Sequence, residues 1–177
     1  MKKERKILGE ERRALILQWL KETKRPMTGT ELANKTNVSR QVIVQDISLL
    51  KAKNEPIIAT SQGYLYLSPS SAHTYTRIIA CCHTPEQTKD ELYTIVDHGV
   101  TVKDVKIEHP VYGDLTASIM VSNRLEVDEF IQKINETKSA YLSQLTDGVH
   151  LHTLEADCAQ KLDEACAALK QAGFLIE

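Results

Sequence analysis

From Thr76 to Ala172 the apolar residues switch between the period of two that marks a strand and the period of about 3.6 that marks a helix, in the order βαββαβα. Arg77–Cys82 reads as an apolar, β-branched strand, and Pro85–His98 as a helix with the stripe Leu92, Ile95 and Val96. Thr84-Pro85-Glu86-Gln87 is a capping box with Pro in the first turn, and Gly99 fits the position just past the helix end. Val102–Val111 and Leu115–Val121 are strands joined through Tyr112-Gly113-Asp114, a hairpin signal. A helix over Val127–Tyr141 directs Phe130, Ile131 and Ile134 inward, a strand follows over Val149–Leu154, and a helix over Asp157–Ala172 aligns Leu162, Cys166 and Leu169. This order predicts an α+β open-faced sandwich, a mainly antiparallel four-stranded sheet with helices on one face. The uncovered face is then open to burial by dimerisation.

The residues before this region follow another pattern. Leu15, Ile16, Trp19 and Leu20 recur at helical spacing within Glu10–Thr23, and the segment stops before Pro26. Thr28 or Thr30 caps a short second helix that buries Leu32 and Ala33 and ends near Thr36. After the turn at Asn37-Val38, Ser39 caps a third helix whose stripe is Val42 or Ile43, then Ile47 and Leu50, running to about Lys53. Two helices so joined make a helix-turn-helix. Pro56–Thr60 and Tyr64–Leu67, flanking Ser61-Gln62-Gly63, read as the hairpin wing of a winged helix.

The solvent face of the third helix presents Ser39, Arg40, Gln41, Val44, Gln45 and Ser48. Such a face suits the major groove of double-stranded DNA, where Arg pairs with guanine, Gln with adenine and an apolar side chain with the thymine methyl. Helix-turn-helix patterns also occur in protein-interaction modules, so charge is a second test. Residues 1–67 carry 13 Lys+Arg against 7 Asp+Glu, whereas residues 68–177 carry 9 against 17. The Ser-Pro-Ser-Ser stretch at 68–71 lies where the sign changes and reads as a linker, giving a basic domain over 1–67, a linker over 68–75 and an acidic regulatory domain over 76–177. A basic reading head on an acidic sensing module is the expected layout of a DNA-binding regulator.

No apolar run is long enough to cross a bilayer, and Met1–Arg13 is crowded with charge where a signal peptide would be apolar. A cytoplasmic protein without a membrane partner is expected. Four cysteines, two of them adjacent, do not form a secreted disulfide framework, and reduced thiols are expected. Cys82, Cys158 and Cys166 read as core; Cys81 has the strand parity of His83, which allows it to be a neighbour of that ligand, but reads first as a small buried residue.

His150 and His152 stand at i and i+2 of a strand, so both imidazoles point to one face and can chelate one ion. A solvated strand face is the alternative for such a pair taken alone. His83 lies just past the end of the first strand, and Glu91 lies two turns into the following helix. If Glu91 faces the sheet, three nitrogens and a carboxylate converge, a donor set for zinc, nickel, cobalt, iron or manganese rather than calcium. His73, His98 and His109 lack such a pattern, and His98, near a helix C-terminus where the dipole favours it, reads as structural.

Leu32-Ala33 and the run Asn37–Ile47 resemble the winged helix-turn-helix of many bacterial ligand-responsive repressors and of the bifunctional biotin ligase. With the strand-end histidine, a Glu eight residues later, the His-x-His strand and the segment Thr101–Gly113, nearly the whole chain resembles the bacterial repressors of NAD biosynthesis that respond to nicotinic acid. The resemblance implies a C-terminal 3H domain, an HPr-like open-faced sandwich, with a divalent metal, nickel or zinc, on His83, Glu91, His150 and His152. It further implies repression of NAD-synthesis and niacin-uptake genes, with nicotinic acid as corepressor. Reading two half-sites requires a homodimer. The competing readings are a regulator that senses the metal itself and a metal-dependent hydrolase.

Overall fold

Hydroxyl caps set the starts of two of the first three helices. In the computed structural model, which describes residues 7–23, 25–67 and 74–176, α1 spans Gly9–Glu22, α2 Gly29–Thr36 and α3 Arg40–Ala52. Thr28 accepts a hydrogen bond from the Glu31 amide and Ser39 from the Val42 amide, each satisfying a donor that the helix start leaves open. Ile16 and Leu20 of α1, Leu32 and Ala33 of α2, and Ile43, Ile47 and Leu50 of α3 form one core. Ile43 opens the α3 stripe, and Val42 is only half-buried. A buried Arg12–Asp46 ion pair at 2.6 Å ties α1 to α3.

β1, Ile57–Thr60, pairs antiparallel with β2, Gly63–Tyr66, and Met27 adds an isolated bridge to Tyr64. Gly63 has φ 139°, and a Cβ there would stand 2.5 Å from the Met27 carbonyl oxygen. Glycine is required where the backbone comes this close. The first unit is a winged helix-turn-helix.

Contacts divide the chain into Met1–Pro69 and Ser70–Glu177, each with a core of its own. The expected linker, 68–75, falls mostly on residues 68–73, outside the described residues, as does His73. Tyr75 and Thr76 already pair with Ala156 and Glu155, so the strand starts before Arg77.

The second unit contains β3, Tyr75–Cys82; α4, Thr88–Val96; β4, Thr101–His109; β5, Gly113–Val121; α5, Arg124–Thr137; β6, Val149–Ala156; and α6, Ala159–Gln171. The sheet order is β3-β6-β4-β5 with every neighbour antiparallel. Leu92 and Ile95 of α4, Val127 of α5, and Leu162, Ala165 and Leu169 of α6 cover one face and bury Val102, Val121 and Leu154 beneath them. The other face carries exposed Ile78, Val149 and Leu151.

Several boundaries differ from expectation. The capping box at Thr84 is present, but Pro85–Gln87 forms one 3-10 turn before α4 begins. α5 starts earlier, capped by Asn123, and ends at Thr137 because Lys138 turns left-handed at φ 52°. Val127 is its buried anchor, while Phe130 and Ile134 are half-buried because they border a cavity and Ile131 is half-buried against the core. Val111 belongs to the exposed hairpin turn, not to β4. Cys82 is exposed because strand parity sends it to the open face; Cys158 at the start of α6 and Cys166 within it are half-buried, Cys166 packing against the core. Phe174 to Ile176 returns along β3, donating from Ile176 N to Ala80 O and accepting from Cys82 N at Phe174 O.

Candidate functional site

His150 and His152 leave β6 on its helix-covered side, and both are buried. Glu91 reaches the same place from α4 and is fully buried, 0% exposed. His83 arrives from the chain just beyond β3, whose Cys81 lies opposite His150. Gly148, at φ 93°, permits this meeting, since a Cβ there would stand 2.4 Å from the His83 carbonyl oxygen. The structure thus brings together the four residues expected to converge.

Backbone carbonyls set the tautomer of each imidazole. Nδ1 of His83 is 2.8 Å from Thr84 O, Nδ1 of His150 is 2.8 Å from Gly148 O, and Nδ1 of His152 is 2.7 Å from Asp104 O. A carbonyl only accepts, so each Nδ1 carries the hydrogen and donates it, which leaves Nε2 of the neutral ring as a lone pair. A register shift between Val102 and Asp104 accompanies the Asp104 contact, as bulges do when they re-aim groups beside functional sites. The anchors hold all three Nε2 atoms toward one point.

That point is rich in acceptors. Glu91 Oε2 is 2.7 Å from His83 Nε2 and 3.3 Å from His152 Nε2; Glu91 Oε1 is 3.3 Å from His150 Nε2. The Nε2 atoms of His150 and His152 are 3.1 Å apart. With the ring hydrogens spent on carbonyls, lone pairs face lone pairs, and a cation or added protons must sit among them. Burial pushes Glu91 toward its neutral form, but the charge of His152 and the hydrogen bonds of all three imidazoles override it and hold the carboxyl well below the usual range. Burial likewise opposes charge on His83 and His152, yet the Glu91 carboxylate outweighs it and raises both. Three borderline nitrogen donors, an ionised carboxylate and ring hydrogens anchored to carbonyls fit a divalent transition metal.

Strand parity with His83 allows Cys81 to neighbour the cluster, and its Sγ, a Glu91 oxygen and a His150 ring nitrogen all lie within 4.8 Å of one another. Burial, then the Glu91 charge, pushes its thiol pKa far up, so it stays protonated. Beside the cluster is a cavity of about 190 Å3 walled by Leu92, Val105, Ile119, Phe130 and Ile134 and closed by Tyr141 to Ser143. No sequence pattern marked it, because its walls come from five separate elements. His98 donates from Nδ1 to Thr94 O, and His109 Nδ1 accepts from the Val111 and Tyr112 amides; both are structural.

On α3, Ser39, Arg40, Gln41, Gln45 and Ser48 are exposed and Val44 is half-buried, which sets the six on one solvent-facing side. The Arg40 stem passes over Gly29, where a Cβ would be 3.4 Å from its Cγ. Ser48 spends its hydrogen on Val44 O and keeps only acceptor capacity.

Residues 76–177 match the 3H domain family, and residues 12–65 match an HTH domain family. The chain is 65% identical to the transcription repressor NadR of Bacillus subtilis, over 100% of this chain and 99% of that one. It is 40% identical to the probable transcription repressor NiaR of Thermotoga maritima, over 97% of both. The chain belongs to the NadR and NiaR family of transcription repressors. An uncharacterized protein of Methanothermus fervidus is 26% identical over 53% of this chain and 16% of its own length. In the NadR and NiaR family the helix-turn-helix is a DNA-binding head, and the hydrolase reading gives way, since these relatives are repressors rather than enzymes. Among the described residues no helix is long and apolar enough to cross a membrane.

Proposed function

We propose that this repressor silences genes of NAD synthesis and niacin uptake when nicotinic acid is abundant, and that the acid binds in the cavity beside the His83, Glu91, His150 and His152 cluster. One observation supports the reading above all others: three Nε2 lone pairs and a buried carboxylate converge at the end of an apolar cavity. An apolar cavity of about 150 Å3 admits benzene. The larger cavity here takes a six-membered ring with one small substituent.

A divalent ion, nickel or zinc, would be held by the four side chains and would supply positive charge and open coordination positions. The chain's own residues do the rest. Thr84, Gly148 and Asp104 carbonyls orient the imidazoles, and Leu92, Ile119 and Phe130 exclude water from the ring. The metal on this reading anchors a ligand and performs no chemistry. Two copies place two α3 helices on half-sites roughly 34–36 Å apart or a multiple of that.

The test is fluorescence anisotropy with operator DNA from upstream of NAD-synthesis genes, at fixed salt, on metal-loaded and chelated full-length protein with and without nicotinic acid. Salt must be constant because phosphate contacts make affinity steeply salt-dependent. The expected result is tighter binding with nicotinic acid only when metal is present. Tightening by metal alone, with no response to the acid, overturns the corepressor assignment in favour of a metal sensor.

A further inference from the structure

Four helical hydroxyls bond the carbonyl four residues back. Thr36 donates to Leu32 O, Ser48 to Val44 O, Thr94 to Asp90 O and Thr137 to Lys133 O. Thr88 is different. Its partner would be Thr84 O, which already accepts from His83 Nδ1 and from the Gln87 amide. The Thr88 hydroxyl is sealed from solvent and has no partner among the described residues. The residue is 8% exposed and lines the same cavity as the imidazole cluster, one helical turn before Glu91. A buried hydroxyl without a partner is expensive and marks a place where something else completes the bond.

Charge decides which end of the ligand this is. Among the described residues no Lys or Arg lines the cavity, so a ligand carboxylate finds positive charge only at the metal and imidazole end. The ring nitrogen of a pyridine then meets the rest of the lining, whose polar side chains are Thr88, Tyr141 and Ser143, and Thr88 is the one with a sealed hydroxyl that lacks a partner. The ring nitrogen is an acceptor only and needs a donor.

We propose that the Thr88 hydroxyl donates to the ring nitrogen of the bound pyridine carboxylate and is the residue that distinguishes it from a benzene carboxylate. The inference rests on the proposed nicotinic acid site. A site built to hydrogen-bond a ligand atom rejects the analogue that lacks it, because its own polar group stays unpaired.

Calorimetric titration of full-length, metal-loaded protein with nicotinic acid and with benzoic acid tests it, on wild type, Thr88→Val and Thr88→Ser. Valine keeps the shape and removes the hydroxyl; serine keeps the hydroxyl. Thr88→Val should bind nicotinic acid roughly tenfold more weakly while binding benzoic acid as tightly as wild type or more so, and Thr88→Ser should keep the wild-type preference. The ligand-free Thr88→Val protein should also melt higher, since an orphaned polar group is gone, so a loss of affinity with a raised Tm cannot be a folding defect. If Thr88→Val retains the wild-type preference for nicotinic over benzoic acid, the proposal is overturned and the site reading stands. If wild type binds neither acid, the site reading falls first and this inference with it.

Discussion

A methyl group at residue 148 would stand 2.4 Å from the His83 carbonyl oxygen, in backbone already at φ 93°. Gly148→Ala should therefore cost on the order of 1–3 kcal/mol of stability, and it should weaken metal binding because His83 and His150 are spread apart. Thermal melting and a chelator competition check the two effects; an unchanged metal affinity would show that the cluster does not depend on this close approach. Protons supply a second test at this scale. In the metal-free cluster Glu91 is ionised below its usual range, whereas His83 and His152 hold protons above theirs, burial notwithstanding. A metal must displace those protons, so its affinity should rise with pH through and above the ordinary imidazole range and level off once both rings are neutral. Competition titrations across pH measure the slope. His150 and His152 were legible in the sequence because the strand period sends both to one face; His83 lies past its strand's end and the sequence leaves the direction of Glu91 open, so the family resemblance joins those two to the pair. Thr88 was not legible, since its state depends on who occupies the Thr84 carbonyl; Cys81 was legible only in part, its strand parity with His83 placing it near while its approach to the Glu91 carboxylate depends on packing across the core.

Elements show the same division between local and distant causes. α2 and α3 start where Thr28 and Ser39 say they should, because a cap is decided within four residues. The end of α5 was misread: Lys138 turns left-handed with no glycine to signal it, and the Ser139 amide bonds back to Ile134 O. The segment freed from the helix carries Tyr141 and Ser143 to the lining of the cavity. The C-terminal return along β3 was likewise invisible, since three residues carry no period, yet it sets Phe174 edge-on against the His83 ring at 5.6 Å. For α3 the testable content is which side chain reads a base. Gln45 is exposed at mid-helix, and Gln45→Ala should lose about 1–3 kcal/mol on operator DNA while leaving non-specific binding and its salt slope unchanged. Anisotropy on operator and scrambled duplexes separates the two. An equal loss on both would make Gln45 a backbone contact.

At the scale of the molecule, the uneven charge confines DNA to one unit. Residues 1–67 carry an excess of Lys and Arg, residues 68–177 an excess of Asp and Glu, and the acidic domain repels phosphate. On the proposed reading, nicotinic acid bound in the acidic domain would act on the operator only by favouring the arrangement that DNA also favours. A ligand with equal affinity for both arrangements shifts nothing, however tightly it binds. Such coupling is reciprocal: if saturating nicotinic acid tightens operator binding by some factor, saturating operator must tighten nicotinic acid binding by the same factor. Both halves are measurable at one salt concentration, the first by anisotropy and the second by calorimetry on protein with and without duplex. Equal factors above one are expected for the metal-loaded protein, and both should collapse to one after chelation. A factor seen in the DNA titration but missing from the calorimetry would mean that nicotinic acid acts through something other than binding to the repressor, and the corepressor site would have to be sought elsewhere.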